Sequence, residues 1–184
     1  MKKACSLIAA LFLVAMFIHA RSVTIEAKGS YFYPSEEAFQ DIYGGGLMYG
    51  GEVSVSIWKN LELWVGGCYF TQDGLLTFTQ EDTTLKILPF GGGLKYRITN
   101  GVLGLYIGAG VNYYDYRESN VIGDVQKGGV GGVAKLGLYI EPVKMFVVDV
   151  FAEYSYCKMT PADFTINIGG IKAGIGLGIR LSKT

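Results

Sequence analysis

The chain has 184 residues, of which 50% are hydrophobic and 17% charged, and its acidic and basic side chains balance to a formal net charge of zero. This balance excludes the strongly basic footprint of a nucleic-acid-binding domain. The only histidine is His19, inside an apolar N-terminal run. Histidine-dependent catalysis and histidine-based metal sites are therefore excluded for the rest of the chain.

The first 20 residues have the pattern of a secretory signal peptide. Two lysines precede an uncharged apolar run over residues 4–18, and Ala20 supplies a small residue before Arg21. The alternative, an N-terminal membrane anchor, would need a longer apolar run. We therefore expect residues 1–20 to be removed on export and residues 21–184 to form a single domain.

Eight segments of the remaining chain alternate apolar with polar or small residues. This period of two is typical of β-strands whose two faces have different surroundings. In chain order the segments are Val23–Tyr33, Ile42–Ile57, Leu61–Thr71, Leu88–Ile98, Leu103–Tyr113, Gly129–Glu141, Met145–Tyr156 and Ile168–Leu181.

The pair of segments between Leu88 and Tyr114 shows the pattern most clearly. One face is apolar throughout, whereas the other carries glycine, amide and charged side chains. Between the two arms lies Asn100-Gly101, which accepts the positive φ angles of a type I′ hairpin turn. The pattern predicts a membrane-spanning hairpin, apolar towards lipid and polar towards a lumen.

The connections between the predicted strands alternate between long and short. Transmembrane barrels show this asymmetry, with tight periplasmic turns and longer outer loops, and aromatic residues near the outer strand ends would form an interfacial girdle. The predicted fold is therefore all-β, an eight-stranded antiparallel up-and-down transmembrane β-barrel. The long polar connections are Pro34–Asp41, Gln72–Asp82, Asp115–Gly128 and Cys157–Asn167.

Four stretches resemble a known family. They are GGGLKYRI at Gly91–Ile98, LYIGAGVNYY at Leu105–Tyr114, FAEYSY at Phe151–Tyr156 and INIGGIKAGIGLGIRL at Ile166–Leu181. The chain resembles the small outer-membrane β-barrels of Gram-negative bacteria, of the opacity and OmpA/OmpX types. The resemblance implies a monomer in the cell outer membrane, surrounded by outer-membrane lipids and lipopolysaccharide, with a host or neighbouring cell surface as a further partner.

The same period of two sorts the ionisable residues. Twelve of them, six of each sign, fall on the polar face of the strands, where an eight-stranded barrel has room only for side chains. We expect them to form an ion-pair network that fills the lumen and leaves no open pore. These residues are Glu26, Lys28, Glu52, Glu62, Lys95, Arg97, Lys135, Glu141, Asp149, Glu153, Lys172 and Arg180.

No catalytic, cofactor-binding or dedicated metal site is predicted. The glycine runs lack the Lys-Ser/Thr ending of a phosphate-binding loop, and an acidic pair such as Asp149 and Glu153 is interpreted as part of the ion-pair network. Cys68 and Cys157 fall on strands that face each other across the barrel, too far apart for a disulfide.

The predicted outer loops are rich in acidic residues. Two groups, Glu36, Glu37 and Asp41, and Asp73, Glu81 and Asp82, could bind Ca²⁺ or Mg²⁺ weakly, together with lipid phosphates. The simpler interpretation is that these acids keep the loops solvated.

Three functions remain open at this point. The first is a non-enzymatic outer-membrane barrel with a structural or surface-interaction role, adhesin-like or opacity-like. The second is a narrow passage or binding barrel for small hydrophobic molecules. The third is a secreted, soluble carrier of the lipocalin kind, with its apolar face inward. The period of two alone does not distinguish the inner face from the outer one.

Overall fold

The computed structural model describes residues 21–75, 82–121, 123–143, 145–160 and 165–182. The predicted signal peptide lies outside these residues. The described chain contains one short helix and ten strands, two of them of only two residues. They are β1 (Ser22–Pro34), α1 (Glu37–Tyr43), β2 (Gly46–Trp58), β3 (Leu61–Leu75), β4 (Asp82–Asn100), β5 (Leu103–Asn120), β6 (Gly123–Val143), β7 (Phe146–Tyr156), β8 (Lys158–Met159), β9 (Ile166–Asn167) and β10 (Gly170–Ser182).

Eight of the strands close into a barrel in which every neighbouring pair is antiparallel. Strands β1 to β7 follow one another around the wall, and β10 closes it by pairing with β7 and β1. The closing register runs from Ser22 opposite Ser182 to Pro34 opposite Gly170. The predicted eight-stranded up-and-down barrel is confirmed.

The apolar face of the barrel wall points outward. Along β5, Leu105, Ile107 and Val111 are 56%, 63% and 61% exposed, whereas Tyr106 between them is 1% exposed. A continuous apolar outer wall is stable in lipid and unfavourable in water. The lipocalin-like alternative, which requires the apolar face inward, is therefore wrong.

No helix in the described part of the chain is both long enough and apolar enough to cross a membrane. The predicted loop after β1 contains α1, and β2 begins at Gly46 instead of Ile42. Within α1, Phe39 and Tyr43 are spaced four residues apart on one helix face, and both are buried at the outer end of the barrel. This spacing is too short a signal to stand out from a polar loop.

The described parts of the long connections contain more strand than predicted. Strands β5 and β6 continue through the predicted 115–128 loop, and β3 and β4 extend beyond the wall in the same way. We call the four-stranded extension formed by residues 71–75, 82–88, 115–120 and 123–128 the projecting sheet. Its polar composition indicated a loop, but antiparallel backbone pairing does not require apolar side chains. Residues 157–167 likewise contain the short β8–β9 pair.

The turn between β4 and β5 differs from the predicted type I′ turn by one residue. Asn100 pairs with Leu103, so the two central residues are Gly101 and Val102. Gly101 has φ 61°, and Val102 is not among the described residues with positive φ. Glycine at the first central position alone is the pattern of a type II′ turn.

Close packing at Gly137 provides a test of the inner face. A Cβ atom there would lie 2.5 Å from the Tyr106 hydroxyl oxygen, whereas one at Gly132 on the same strand would meet nothing within 4 Å. We expect Gly137→Ala to lower the free energy of unfolding by about 1–3 kcal/mol through overpacking. Gly132→Ala should leave it unchanged or slightly raise it. Urea unfolding in phospholipid vesicles measures both, and equal effects would contradict the inward packing of Tyr106.

Candidate functional site

The centre of the lumen is organised around the carboxylate of Glu52, on β2. It lies 3.2 Å from the Lys28 ammonium and 2.6 Å from those of Lys95 and Lys135, which come from β1, β4 and β6. Ser54 donates a further hydrogen bond to it. One carboxylate thus joins strands from both sides of the barrel.

Further ion pairs extend from this centre through the lumen in two directions. Lys28 also lies 3.0 Å from Asp149 and 3.4 Å from Glu26. Glu153 lies 3.2 Å from the Lys135 ammonium and 2.8 Å from that of Lys172. Eight of the twelve residues predicted from the sequence therefore form one group, which we call the central group: Glu26, Lys28, Glu52, Lys95, Lys135, Asp149, Glu153 and Lys172.

The other four predicted residues meet nearer the periplasmic turns, and we call them the periplasmic group. Arg97 lies 3.2 Å from Glu62 and 2.7 Å from Glu141, while Arg180 lies 3.6 Å and 2.5 Å from the same two carboxylates. Arg180 also donates to Thr24. The structure thus brings each of the twelve predicted residues within ion-pair distance of at least one of the others.

Two buried tyrosines join these charges, and the sequence analysis assigned them no role. The Tyr139 hydroxyl accepts a 2.6 Å hydrogen bond from Lys95 and donates a 2.8 Å bond to Glu26. The Tyr106 hydroxyl lies 3.0 Å from both oxygens of Asp149. The alternating pattern places both tyrosines on the inward face of their strands. Because a buried phenol requires a polar partner, this position was the available signal of their role.

The outer half of the lumen is apolar. The buried side chains of Phe39 and Tyr43 from α1 close this end, and the Tyr43 hydroxyl lies 3.1 Å from Thr83. We call the buried side chains here the outer apolar layer. They are Phe32, Phe39, Tyr43, Met48, Phe70, Leu85, Ile87, Tyr114, Tyr116, Cys157, Met159 and Ile168.

The loop acids that lie within the described residues do not assemble into a cation site. Glu36 accepts from the Asn167 backbone and Asp73 from Thr84, and Glu81 lies outside the described residues. Within the described ranges, no three acidic, cysteine or histidine side chains are arranged to hold a metal ion. Both Cys68 and Cys157 are free thiols.

The outward face of the projecting sheet carries a polar cleft of about 440 Å³, lined by Thr84, Lys86, Arg117, Glu118, Ser119, Asp124 and Gln126. Lys86 and Arg117 stand directly opposite each other on β4 and β5. Arg117 also binds Asp115, and hydrogen bonds from Arg117 and Gln126 lower the pKa of Asp115 below its usual range. This surface lies above the lipid-facing aromatic residues Phe90 and Tyr113.

A closed antiparallel barrel with an apolar outer wall and paired charges inside defines an integral outer-membrane β-barrel. No family model and no curated protein matches the chain. Its fold is similar to OprG from Pseudomonas aeruginosa, with a TM-score of 0.68 and 13% identity over 90% of this chain and 98% of that one.

Two further solved barrels have a similar fold. Neisserial surface protein A has a TM-score of 0.62 and 13% identity, covering 88% of this chain and 97% of that one. Ail of Yersinia pestis, solved with the heparin analogue sucrose octasulfate, has a TM-score of 0.61 and 16% identity, covering 87% and 98%. The expected fold of a small outer-membrane barrel is thus confirmed.

Proposed function

We propose that the protein is a non-enzymatic outer-membrane barrel with a plugged lumen and a structural and surface-interaction role. The observation that carries this proposal is the filling of the lumen by the central group, the periplasmic group and the outer apolar layer. The carboxylates best suited to acid–base chemistry, Asp149 and Glu153, are each held by a lysine ammonium. A network with this degree of pairing stabilises a barrel wall and opposes the flow of solutes.

The projecting sheet supports the surface-interaction part of the proposal. Lys86 and Arg117 present adjacent cationic groups just above the apolar belt, at the height of lipid headgroups. Lysine and arginine are the side chains that bind phosphate and sulfate groups most effectively. Ail, whose fold is similar, was solved with a sulfated saccharide analogue. We therefore propose lipopolysaccharide as the partner nearest this cleft, with a host or neighbouring cell surface as the more distant one.

Lipopolysaccharide binding can be tested with a charge-removing double variant. We expect lipopolysaccharide in the bilayer to raise the melting temperature of the wild type, and to raise it less for Lys86→Gln/Arg117→Gln. Lys127→Gln is the matched control, because Lys127 is exposed on the opposite face of the same sheet. An identical lipopolysaccharide response in all three proteins would contradict the proposed cleft.

The plugged lumen requires a separate measurement. Refolded protein in a planar bilayer should give no stepwise conductance, because the twelve inward charges are already paired. Steady conductance by the wild type would overturn the plugged-lumen part of the proposal without affecting the lipopolysaccharide part.

The outer apolar layer favours a second candidate, a binding barrel for small hydrophobic molecules. A cavity of about 20 Å³ lies where this layer meets the central group, bordered by Phe32, Met48, Ile87 and Tyr114 of the layer and by Glu153 and Lys172 of the central group. The cavity would have to enlarge by movement of α1 to admit a ligand. Saturable binding of an apolar fluorescent probe, lost when the outer apolar layer is altered by Met48→Asn, would favour this candidate over the first.

A further inference from the structure

A second small cavity lies beside the central group, and its lining has an excess of positive charge. It has a volume of about 30 Å³, and Lys28, Lys135 and Lys172 line it together with Glu52 and Glu153. Three lysines and two glutamates thus border a space large enough for one or two water-sized groups. The compensating acids, Glu26 and Asp149, belong to the central group but do not line the cavity.

Two hydrogen-bond donors of the lining lack a full set of acceptors within the described residues. The Lys172 ammonium has three N–H groups, and the described residues provide two acceptors for it, Glu153 and the Cys68 sulfur. Trp64 lines the same cavity at 3% exposure, and its indole Nε1–H has no acceptor within the described residues. A buried donor without an acceptor is costly, so the Trp64 indole N–H indicates a place for a group that the chain itself does not supply.

In the described part of the structure, the carboxylates of the lining accept from other groups and leave the Trp64 indole N–H without a partner. Glu52 already receives four donors, from Lys28, Lys95, Lys135 and Ser54, which is about the capacity of a carboxylate. Glu153 has one oxygen 3.2 Å from the Lys135 ammonium and the other 2.8 Å from that of Lys172. Neither carboxylate accepts from the Trp64 indole N–H within the described residues, and an acceptor from outside the chain would satisfy it.

We propose that this cavity binds a monovalent anion of halide size, with chloride as the natural occupant, between the Lys172 ammonium and the Trp64 indole N–H. The three lysines of the lining attract a negative charge, and the low-dielectric interior strengthens that attraction. The cavity volume excludes larger organic anions, and the positive lining disfavours a cation. The site lies in the lumen and is independent of the lipopolysaccharide cleft.

Bromide is a suitable probe, because it resembles chloride and scatters X-rays anomalously. The full-length protein, refolded and crystallised in sodium bromide, should show an anomalous peak in the cavity. At matched ionic strength, the wild type should also melt at a higher temperature in bromide than in gluconate, which is too large to enter. Lack of an anomalous peak together with equal melting temperatures would overturn the proposal and leave water as the occupant.

Iodide quenching gives a second measurement, because the chain has two tryptophans in different surroundings. Trp58 is 67% exposed near the periplasmic end, so Trp58→Phe leaves Trp64 as the single indole fluorophore. After refolding in increasing iodide, the emission of this variant should fall along a saturable curve. Linear quenching of the kind expected for random collisions would count against a defined site.

Two substitutions locate the anion within the cavity. In the Trp58→Phe background, Lys172→Met should weaken iodide binding by about tenfold or more, because a charged donor is lost. Lys158→Met, which removes an exposed lysine outside the cavity, should leave binding unchanged. If Lys172→Met does not fold, Trp64→Phe keeps an aromatic ring but removes the indole N–H together with part of the bicyclic ring, and it should reduce the bromide-dependent rise in melting temperature. Unaltered halide responses in the variants that fold would contradict the assigned position.

Discussion

The Glu52→Gln variant is expected to lose about 3–5 kcal/mol of unfolding free energy, the cost of breaking a buried ion pair by removing one partner. Glu52 is buried and contacts the ammonium groups of Lys28, Lys95 and Lys135 at 2.6–3.2 Å. The neutral amide keeps the size of the side chain but leaves these ammonium groups with one fewer negative charge. Urea unfolding in phospholipid vesicles, followed by gel mobility without boiling, measures the loss.

Glu141→Gln is the matched control for this prediction. Its side chain also contacts two cations, Arg97 and Arg180, but it is 18% exposed, so water can compensate for part of the lost charge. We expect a clearly smaller loss than for Glu52→Gln. Adding Lys95→Met to Glu52→Gln should recover part of the stability, because it removes one of the unpaired charges. Equal losses for both single variants, or no recovery in the double variant, would contradict a central role for Glu52.

The sequence predicts which residues belong to the lumen network, but it does not predict which of them form ion pairs with one another. A period of two assigns each residue to a face, and Glu52 and Lys135 both fall on the polar one. Their 2.6 Å contact joins β2 to β6 across the lumen. Contacts of this kind depend on the stagger and tilt of the closed barrel, which local periodicity does not specify.

The role of the tyrosines was missed for a related reason. The alternation places Tyr106 and Tyr139 on the inward face. Aromatic residues in the strands of a membrane barrel, however, are equally typical of lipid-facing, girdle and interior positions, so residue type alone does not indicate their role. Only the three-dimensional arrangement shows that Gly137 provides the space in which the Tyr106 phenol reaches Asp149. Each tyrosine is a large residue at an inward position, opposite a glycine on the neighbouring strand.

The projecting sheet shows where composition is a poor guide to structure. Residues 115–128 are polar and glycine-rich, as loops are, and yet residues 115–120 and 123–128 form paired strands. Their inward positions continue the alternation with Tyr116, which is buried in the outer apolar layer. The same region contains the Lys86–Arg117 pair, which could not be predicted without the strand register.

A charge placed on the outer wall should be most costly at mid-membrane. Leu136 is 58% exposed on β6, midway between Val130 near the outer girdle and Val143 near the periplasmic end. In vesicles, Leu136→Arg is expected to lower the unfolding free energy by about 2–4 kcal/mol, because the guanidinium must enter hydrocarbon. Val143 is similarly exposed. Val143→Arg should lower the unfolding free energy by only about 0–1 kcal/mol, because the guanidinium at this position reaches the interface.

The comparison of the two arginine variants also tests the orientation of the barrel wall. If the wall faced water, both substitutions would replace an exposed apolar residue with a soluble one, and neither would lower stability. If the wall faces lipid, the cost depends on depth, and transfer from vesicles to a detergent micelle should reduce the loss for Leu136→Arg, because water reaches the wall more easily there. Equal costs for both variants in vesicles would contradict the placement of Leu136 at mid-membrane, and an increase in stability for both would contradict the lipid-facing wall.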